Sequence, residues 1–163
     1  MTPTIQLMHE KKLVGKRMSM SLVRNETAVL WKGVMMRARE VRNRIGSDLY
    51  SLQVYPSGYF ENFNPSETFE KWALMEVGDF RSVPEGMESF TLPGGLYAVF
   101  LYRGPASEGA KAFQYIYGIW LPQSGYVLDG RPHLEVLGAN YRGEDPQSEE
   151  EIWVPVKSKR TGD

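Results

Sequence analysis

The sequence predicts an α+β domain made of two β-α-β-β units related by a pseudo-twofold axis, with two helices packed on an antiparallel sheet and a central ligand cleft. Three observations predict it. Apolar periodicity orders the chain as strand, helix, strand, strand, and then repeats that order. Leu52-Gln53-Val54 recurs as Leu134-Glu135-Val136 at an offset of 82 residues, and the same offset brings Met20 onto Tyr102 and puts the two helices in step. Trp72 and Trp153 stand 81 residues apart in two further matching stretches.

Each element has its own signal. Lys11–Leu22 alternates like a strand. Asn25 or Thr27 can cap a helix whose apolar residues Leu30, Trp31, Val34, Met35, Ala38, Val41 and Ile45 recur at helical spacing up to Gly46, a natural stop. Its outer face, Arg37, Arg39, Arg42 and Arg44 with Glu40 four residues before Arg44, reads as solvated. Asp48–Pro56 is a strand, 56–67 a loop, Thr68–Gly78 a strand, and Pro84 to Gly86 a turn. The second half restarts with Glu88–Gly104, a strand interrupted at Pro93-Gly94-Gly95. A helix follows from Ser107, apolar along Ala110, Phe113, Ile116, Tyr117 and Trp120, and Pro122 and Gly125 end it. Pro132–Gly138 is the next strand, Asn140–Glu151 an acidic loop, and Ile152–Lys157 the last strand before a frayed tail from Ser158. Pro155 places that strand at an edge or a bulge. The halves are therefore about 13–78 and 90–157, a core of about 13–157 within one domain over residues 1–163.

Composition narrows the function. A chain of 163 residues buries about 70% of its unfolded surface, enough for a sizeable core. Its 19 basic and 20 acidic residues leave a net charge of −1, which attracts neither nucleic acid nor an anionic membrane. With no cysteine there is no disulfide, thiolate metal site or thiol nucleophile. His9 and His133 have no partners at ligand spacing, so no metal and no cofactor is expected. His133 is expected on the surface or at a strand edge, with a place beside the pocket as the alternative. No signal peptide opens the chain, so a cytoplasmic location is the default expectation.

Glu135 is the conspicuous residue. Carboxylates are poor strand formers and costly to bury alone, yet it stands between Leu134 and Val136 in a short apolar strand. Its counterpart is Gln53, so a polar position recurs at the axis and is charged once. With Tyr97, Tyr102, Trp72 and Trp153 expected on neighbouring strands of the same face, Glu135 would be walled by aromatics. Rings and one buried carboxylate suit a lipophilic cation.

Residues 83–105, 116–138 and 150–157 also resemble the motifs of the GyrI-like effector-binding domains, which occur alone or attached to DNA-binding domains of AraC-type and other multidrug-sensing regulators. The likeness runs from about Leu13 to Lys157 and is strongest in the second half. It implies the duplicated fold, a pocket for small aromatic or cationic molecules, and an acidic residue in the strand after the second helix, which falls on Glu135. The family pattern F-E-x-Y is here Leu134-Glu135-Val136-Leu137, without the aromatic. Trp120, Tyr126 and Trp153 match aromatic positions of the family. The expected ligand-binding set is Glu135, Gln53, Trp120, Tyr97, Tyr126, Trp72 and Tyr102. Residues 1–12 are too few for a helix-turn-helix, so a stand-alone binding protein, without direct nucleic-acid contact, is the first expectation. A hydrolase of reactive small molecules with Glu135 as its carboxylate, and a protein that protects a topoisomerase, are the alternatives the resemblance implies.

Overall fold

Two-residue alternation of apolar side chains gives strands with one face each for two different cores, and every strand pair is antiparallel. A computed structural model describes residues 1–159. The strands are β1 (Thr4–Met8), β2 (Lys11–Met20), β3 (Arg44–Val54), β4 (Phe69–Val77), β5 (Glu88–Leu92), β6 (Gly95–Arg103), β7 (Tyr126–Leu128), β8 (His133–Leu137) and β9 (Glu149–Ser158). Their order is β1-β6-β9-β8-β3-β4-β2-β5, with β7 paired to β9. The first helix is α1 (Thr27–Met35). The second is one continuous run: α2 (Ala110–Tyr115), a π-helical stretch over Ile116–Trp120, and α3 (Leu121–Gln123).

That strand order reads the same from both ends, and the registers agree residue by residue. At the centre, Leu52 faces Leu134, while Ser51 faces Glu135 and Gln53 faces His133. The dyad therefore passes between Leu52 and Leu134 and carries Gln53 onto Glu135. Met20 opposite Phe69 repeats as Tyr102 opposite Glu150, and Leu52 opposite Trp72 repeats as Leu134 opposite Trp153. The duplication predicted from the sequence is present, and it extends further than predicted. Met8 opposite Gly95 repeats as Phe90 opposite Leu13, so β1 and β5 are equivalent edge strands, each paired to the half it does not precede in the chain's simple order.

One face of the sheet carries both helices. A row of cross-strand neighbours, Ala73, Ser51, Glu135, Ile152 and Phe100, crosses that face. Leu30 and Val34 of α1 pack with Val14, Met20, Ala73 and Met75 over one half. Ala112 and Ile116 of the second helix pack with Ala98, Phe100, Val154 and Val156 over the other. Between the helices the floor is β3 and β8. The opposite face buries its own cluster, with Leu13, Leu52, Trp72, Leu74, Tyr97, Val99 and Leu134.

Several boundaries differ from the sequence expectation. The first helix ends at Met35, and only a 3₁₀ turn at Ala38–Glu40 follows before Arg44 opens β3. Val41 is still buried but Ile45 is exposed, because pairing of Arg44 with Val77 and a register shift before Leu49 override helical propensity. Gly46, expected as a helix stop, adopts φ 66° at that irregularity. Glu40 therefore pairs with Arg37 (2.7 Å) rather than with Arg44. Asn25, one of the expected caps, accepts the Thr27 backbone N–H at 3.0 Å. Glu88–Gly104 is not one interrupted strand: β5 pairs with β2 in the first half, and β6 opens the second. Pro155 lies in a central strand, between the last residue paired with β8 (Trp153) and the first paired with β7 (Val156), where a missing N–H costs no ladder bond on that side. Ser158 completes β9, and the rest of the expected tail, 160–163, lies outside the described residues.

Candidate functional site

The cleft between the helices is built on Glu135, which points from β8 toward the helix-bearing face. Gln53 Nε2 donates to Glu135 Oε2 at 2.9 Å, and Lys71 Nζ lies 3.9 Å from Oε1. The side chains of Lys71 and Glu135 keep only 7% and 13% of their exposure, so the pair is largely withdrawn from water. Lys71 reaches this position because it is opposite Gln53 on β4 and shares its face. A buried charge without a partner is expensive, and here each supplies the other's.

Aromatic side chains close the cleft above the floor. Tyr55 follows β3 and stands edge-on to His133, with centroids 4.8 Å apart. From the 56–67 loop, Phe60 stacks on His133 (5.3 Å, 19°) and leans on Tyr117 (4.9 Å, 32°). Tyr117 belongs to the π-helical stretch, and its hydroxyl lies 2.9 Å from His133 Nδ1. π-helical turns often mark functional positions because the extra residue re-aims a side chain. On the α1 side, Trp31 Nε1 donates to Ser51 Oγ at 3.4 Å.

Burial sets the charge states. His133 is held neutral, its pKa lowered to about 3 by desolvation and, secondarily, by Arg131. Burial pushes the Tyr117 and Tyr55 hydroxyls well up, with Glu135 adding to both. Glu150 is raised to about 7, first by burial and then by the Glu135 charge, with Lys71 opposing. The expectation of a surface or strand-edge histidine is thus corrected: His133 is 6% exposed, because the hydroxyl of Tyr117 and the rings of Tyr55 and Phe60 replace water around it. This has a consequence for stability. An unfolded histidine titrates near 6.5, so the unfolded chain binds more protons than the native one between about pH 6.5 and 3, and stability falls as pH falls through that window. Urea titrations at pH 6.5 and 4.5 should show a loss of about 2 kcal/mol that His133→Asn lacks; equal pH dependence in both proteins would refute it.

The expected site residues separate into four groups. Glu135 and Gln53 meet at the floor. Trp72 and Tyr97 lie in the core of the opposite face, since the residues they adjoin there, Leu52 and Val99, alternate away from Gln53 and Glu135. Trp72 Nε1 donates to Glu70 (2.6 Å), Tyr97 Oη to the Pro132 carbonyl (2.8 Å), and Trp153, also on that face, to Glu151 (3.0 Å). Trp120 and Tyr126 stack 6.3 Å apart beneath the second helix, where Trp120 also meets Phe100 edge-on. Tyr102 shares Glu135's face, but at its far end, donating to the Pro105 carbonyl at 2.7 Å.

Sequence reading missed Lys71, Glu150, Tyr55, Phe60 and Tyr117 as cleft residues. Two had a legible signal. Phe69, Lys71, Ala73, Met75 and Val77 alternate onto one face, so Lys71 is a lone charge in a core row. Glu150 likewise precedes Ile152, Val154 and Val156. Among the described residues no group of three or more His, Asp or Glu is arranged to hold a metal ion, and no helix is long and apolar enough to cross a membrane.

Comparisons with known proteins give the same architecture. The chain is 34% identical over 93 residues to the transcriptional regulator BrlR of Pseudomonas aeruginosa, a match covering 56% of this chain and 34% of BrlR, so it spans about a third of that relative. Among solved structures it superposes on SAV2435 bound to tetraphenylphosphonium with a TM-score of 0.69, at 15% identity and covering 96% of this chain and 94% of that one. It superposes on EcmrR in a DNA complex with a TM-score of 0.73, at 14% identity, over 96% of this chain and 57% of EcmrR. A hydrolase encoded by lin2189 from Listeria innocua shares the fold at a TM-score of 0.62 and 11% identity, over 96% and 92% of the two chains. Residues 1–157 match the family described as GyrI-like small molecule binding domain, nearly the whole length of the chain. With its duplicated sheet, paired helices and acid-floored cleft, the chain belongs to the GyrI-like small molecule binding domain family.

Proposed function

We propose that this chain binds a lipophilic, aromatic small molecule, cationic in its preferred form, in the cleft between the two helices above Glu135, as a sensing or sequestering domain. The observation that carries this reading is Phe60. Its ring lies against His133 and Tyr117, with Tyr55 alongside, directly over the polar floor. An aromatic ring of a guest would find in that place two ring faces already positioned, and it enters by displacing Phe60 with its loop. The tetraphenylphosphonium bound to SAV2435 is a guest of this chemistry on the same fold. Binding is favoured over hydrolysis because Glu135 is already engaged by Gln53 and Lys71, whereas a general base needs a carboxylate free to reach a water or substrate proton.

Phe60→Ala tests the reading. Removing the plug should tighten tetraphenylphosphonium about tenfold, since the ring contacts no longer have to be broken before binding, an effect equivalent to about 1.4 kcal/mol. Quenching of tryptophan fluorescence reports it. Weaker binding in the variant would mean that Phe60 is a wall rather than a plug, and no binding in either protein would refute the site.

A further inference from the structure

Glu135 is already neutralised before a ligand arrives. Gln53 donates to one of its oxygens and the ammonium of Lys71 stands 3.9 Å from the other, so a second cation there would meet Lys71 as a like charge. The next carboxylate on the same face is Glu150. It stands on β9 opposite Tyr102, one residue beyond Glu151, whose partner Val136 closes the β8–β9 ladder. It is the diagonal neighbour of Glu135, two residues from Glu135's own partner Ile152. Among the described residues no hydrogen bond or ion pair engages its carboxylate, and Tyr102, its cross-strand partner on that face, spends its hydroxyl on the Pro105 carbonyl.

We infer that Glu150, rather than Glu135, supplies the negative charge that a cationic ligand reads in this chain, and that uptake of the cation releases a proton from Glu150 to solvent. The inference rests on the small-molecule reading above. The charged and titratable groups around Glu150 are Tyr102 on β6, Glu135 on β8, Lys71 on β4 and Tyr141 in the loop after β8, while Asp48, Glu149 and Glu151 lie toward the opposite face of the sheet. Of these, Glu149 is held by Arg103 and Glu151 by the Trp153 indole. Lys71 and Glu135 balance each other, so with Glu150 protonated the cleft is neutral and with Glu150 ionised it carries one negative charge. A permanent cation favours the second state and a neutral guest does not distinguish them. The proton on Glu150 is half-occupied near neutral pH, its affinity raised to about 7 by burial and by Glu135.

The test uses the full chain, with tetraphenylphosphonium as the cation and triphenylphosphine oxide as the neutral analogue. Between pH 6 and 8 the wild type should bind the cation about tenfold more tightly, as one group with a midpoint near 7 demands, and the neutral analogue equally at both. Calorimetry in two buffers of different ionisation enthalpy should show proton release with the cation alone. Glu150→Gln should bind the cation about tenfold more weakly at pH 8 and lose the pH dependence, and adding Lys71→Met should restore cation affinity by freeing Glu135. Circular dichroism and urea midpoints verify that the variants fold. Cation binding that is independent of pH and unchanged in Glu150→Gln overturns the inference while leaving the binding site in place. Failure of both compounds to bind the wild type at either pH overturns the site itself, and the inference with it.

Discussion

Gly15→Ala is expected to remove at least about 4 kcal/mol of stability, a large share of the 5–15 kcal/mol that holds a domain together. Gly15 lies in β2 opposite Leu74, at the point where β2 pairs with β4 on one side and β5 on the other. A Cβ there would run into the backbone carbonyl of Ala73 and crowd the Leu74 Cα, and neither can swing away as a side-chain tip would. The ladder itself would have to open where both strands are buried, and the apolar rows through Val14, Ala73 and Met75 would open with it. Gly118→Ala is the control. It lies in the second helix with no atom within 4 Å of an added Cβ, so it should stabilise the protein by about 0.5–1 kcal/mol. Urea midpoints of the two variants should move in opposite directions. A Gly15→Ala protein as stable as the wild type would show that β2 and β4 are not so closely apposed.

The second large effect is expected at the cleft floor. Glu135→Leu leaves the Lys71 ammonium buried without its nearest carboxylate, with only the more distant Glu150 as counter-charge, and should cost about 3 kcal/mol or more. Glu135→Leu combined with Lys71→Met removes both charges and should recover most of that loss, because a matched apolar pair carries no desolvation penalty. The double-mutant cycle from four urea titrations isolates the coupling. Strict additivity of the two single changes would mean that the 3.9 Å contact contributes nothing. Glu135→Gln is the gentler variant: it keeps shape and the Gln53 bond, and it leaves Glu150 as the remaining counter-charge for Lys71.

The two halves were legible because duplication leaves a mark in sequence spacing. Gln53 and Glu135 are 82 residues apart, and the structure carries one onto the other about an axis through Leu52 and Leu134. The second helix was legible from its apolar stripe in the main: Ile116 is buried and Phe113, Tyr117 and Trp120 are half-buried, whereas Ala110 of the stripe is exposed and Ala112, outside it, is buried. The end of the first helix was not. Residues 36–45 keep a helical pattern, but the alternative, a longer β3 hydrogen-bonded to β4, draws its stability from residues more than thirty positions away.

Within the site, local pattern could establish that Glu135 is a charge in an apolar strand and that its face is shared with Gln53. It could also have isolated Lys71 and Glu150, the polar members of two core rows. What it could not establish is which face the tryptophans and Tyr97 take, because that depends on whether a neighbouring strand pairs at an odd or an even offset, and one residue of slip sends every side chain to the other side. Leu52 opposite Trp72 and Leu134 opposite Trp153 decide it, and they put both indoles across the sheet from the cleft. The sequence by itself determined the fold class, the duplication and the acidic position at its axis, since these are properties of spacing and of residue type. Only the tertiary structure decided the charge balance of the cleft and the rings that close it: Lys71, Glu135 and Glu150 come from three strands, and Phe60, Tyr117 and His133 from a loop, a helix and a strand. The energy of a buried charge or a stacked ring depends on which groups are within a few ångströms, and sequence distance does not report that.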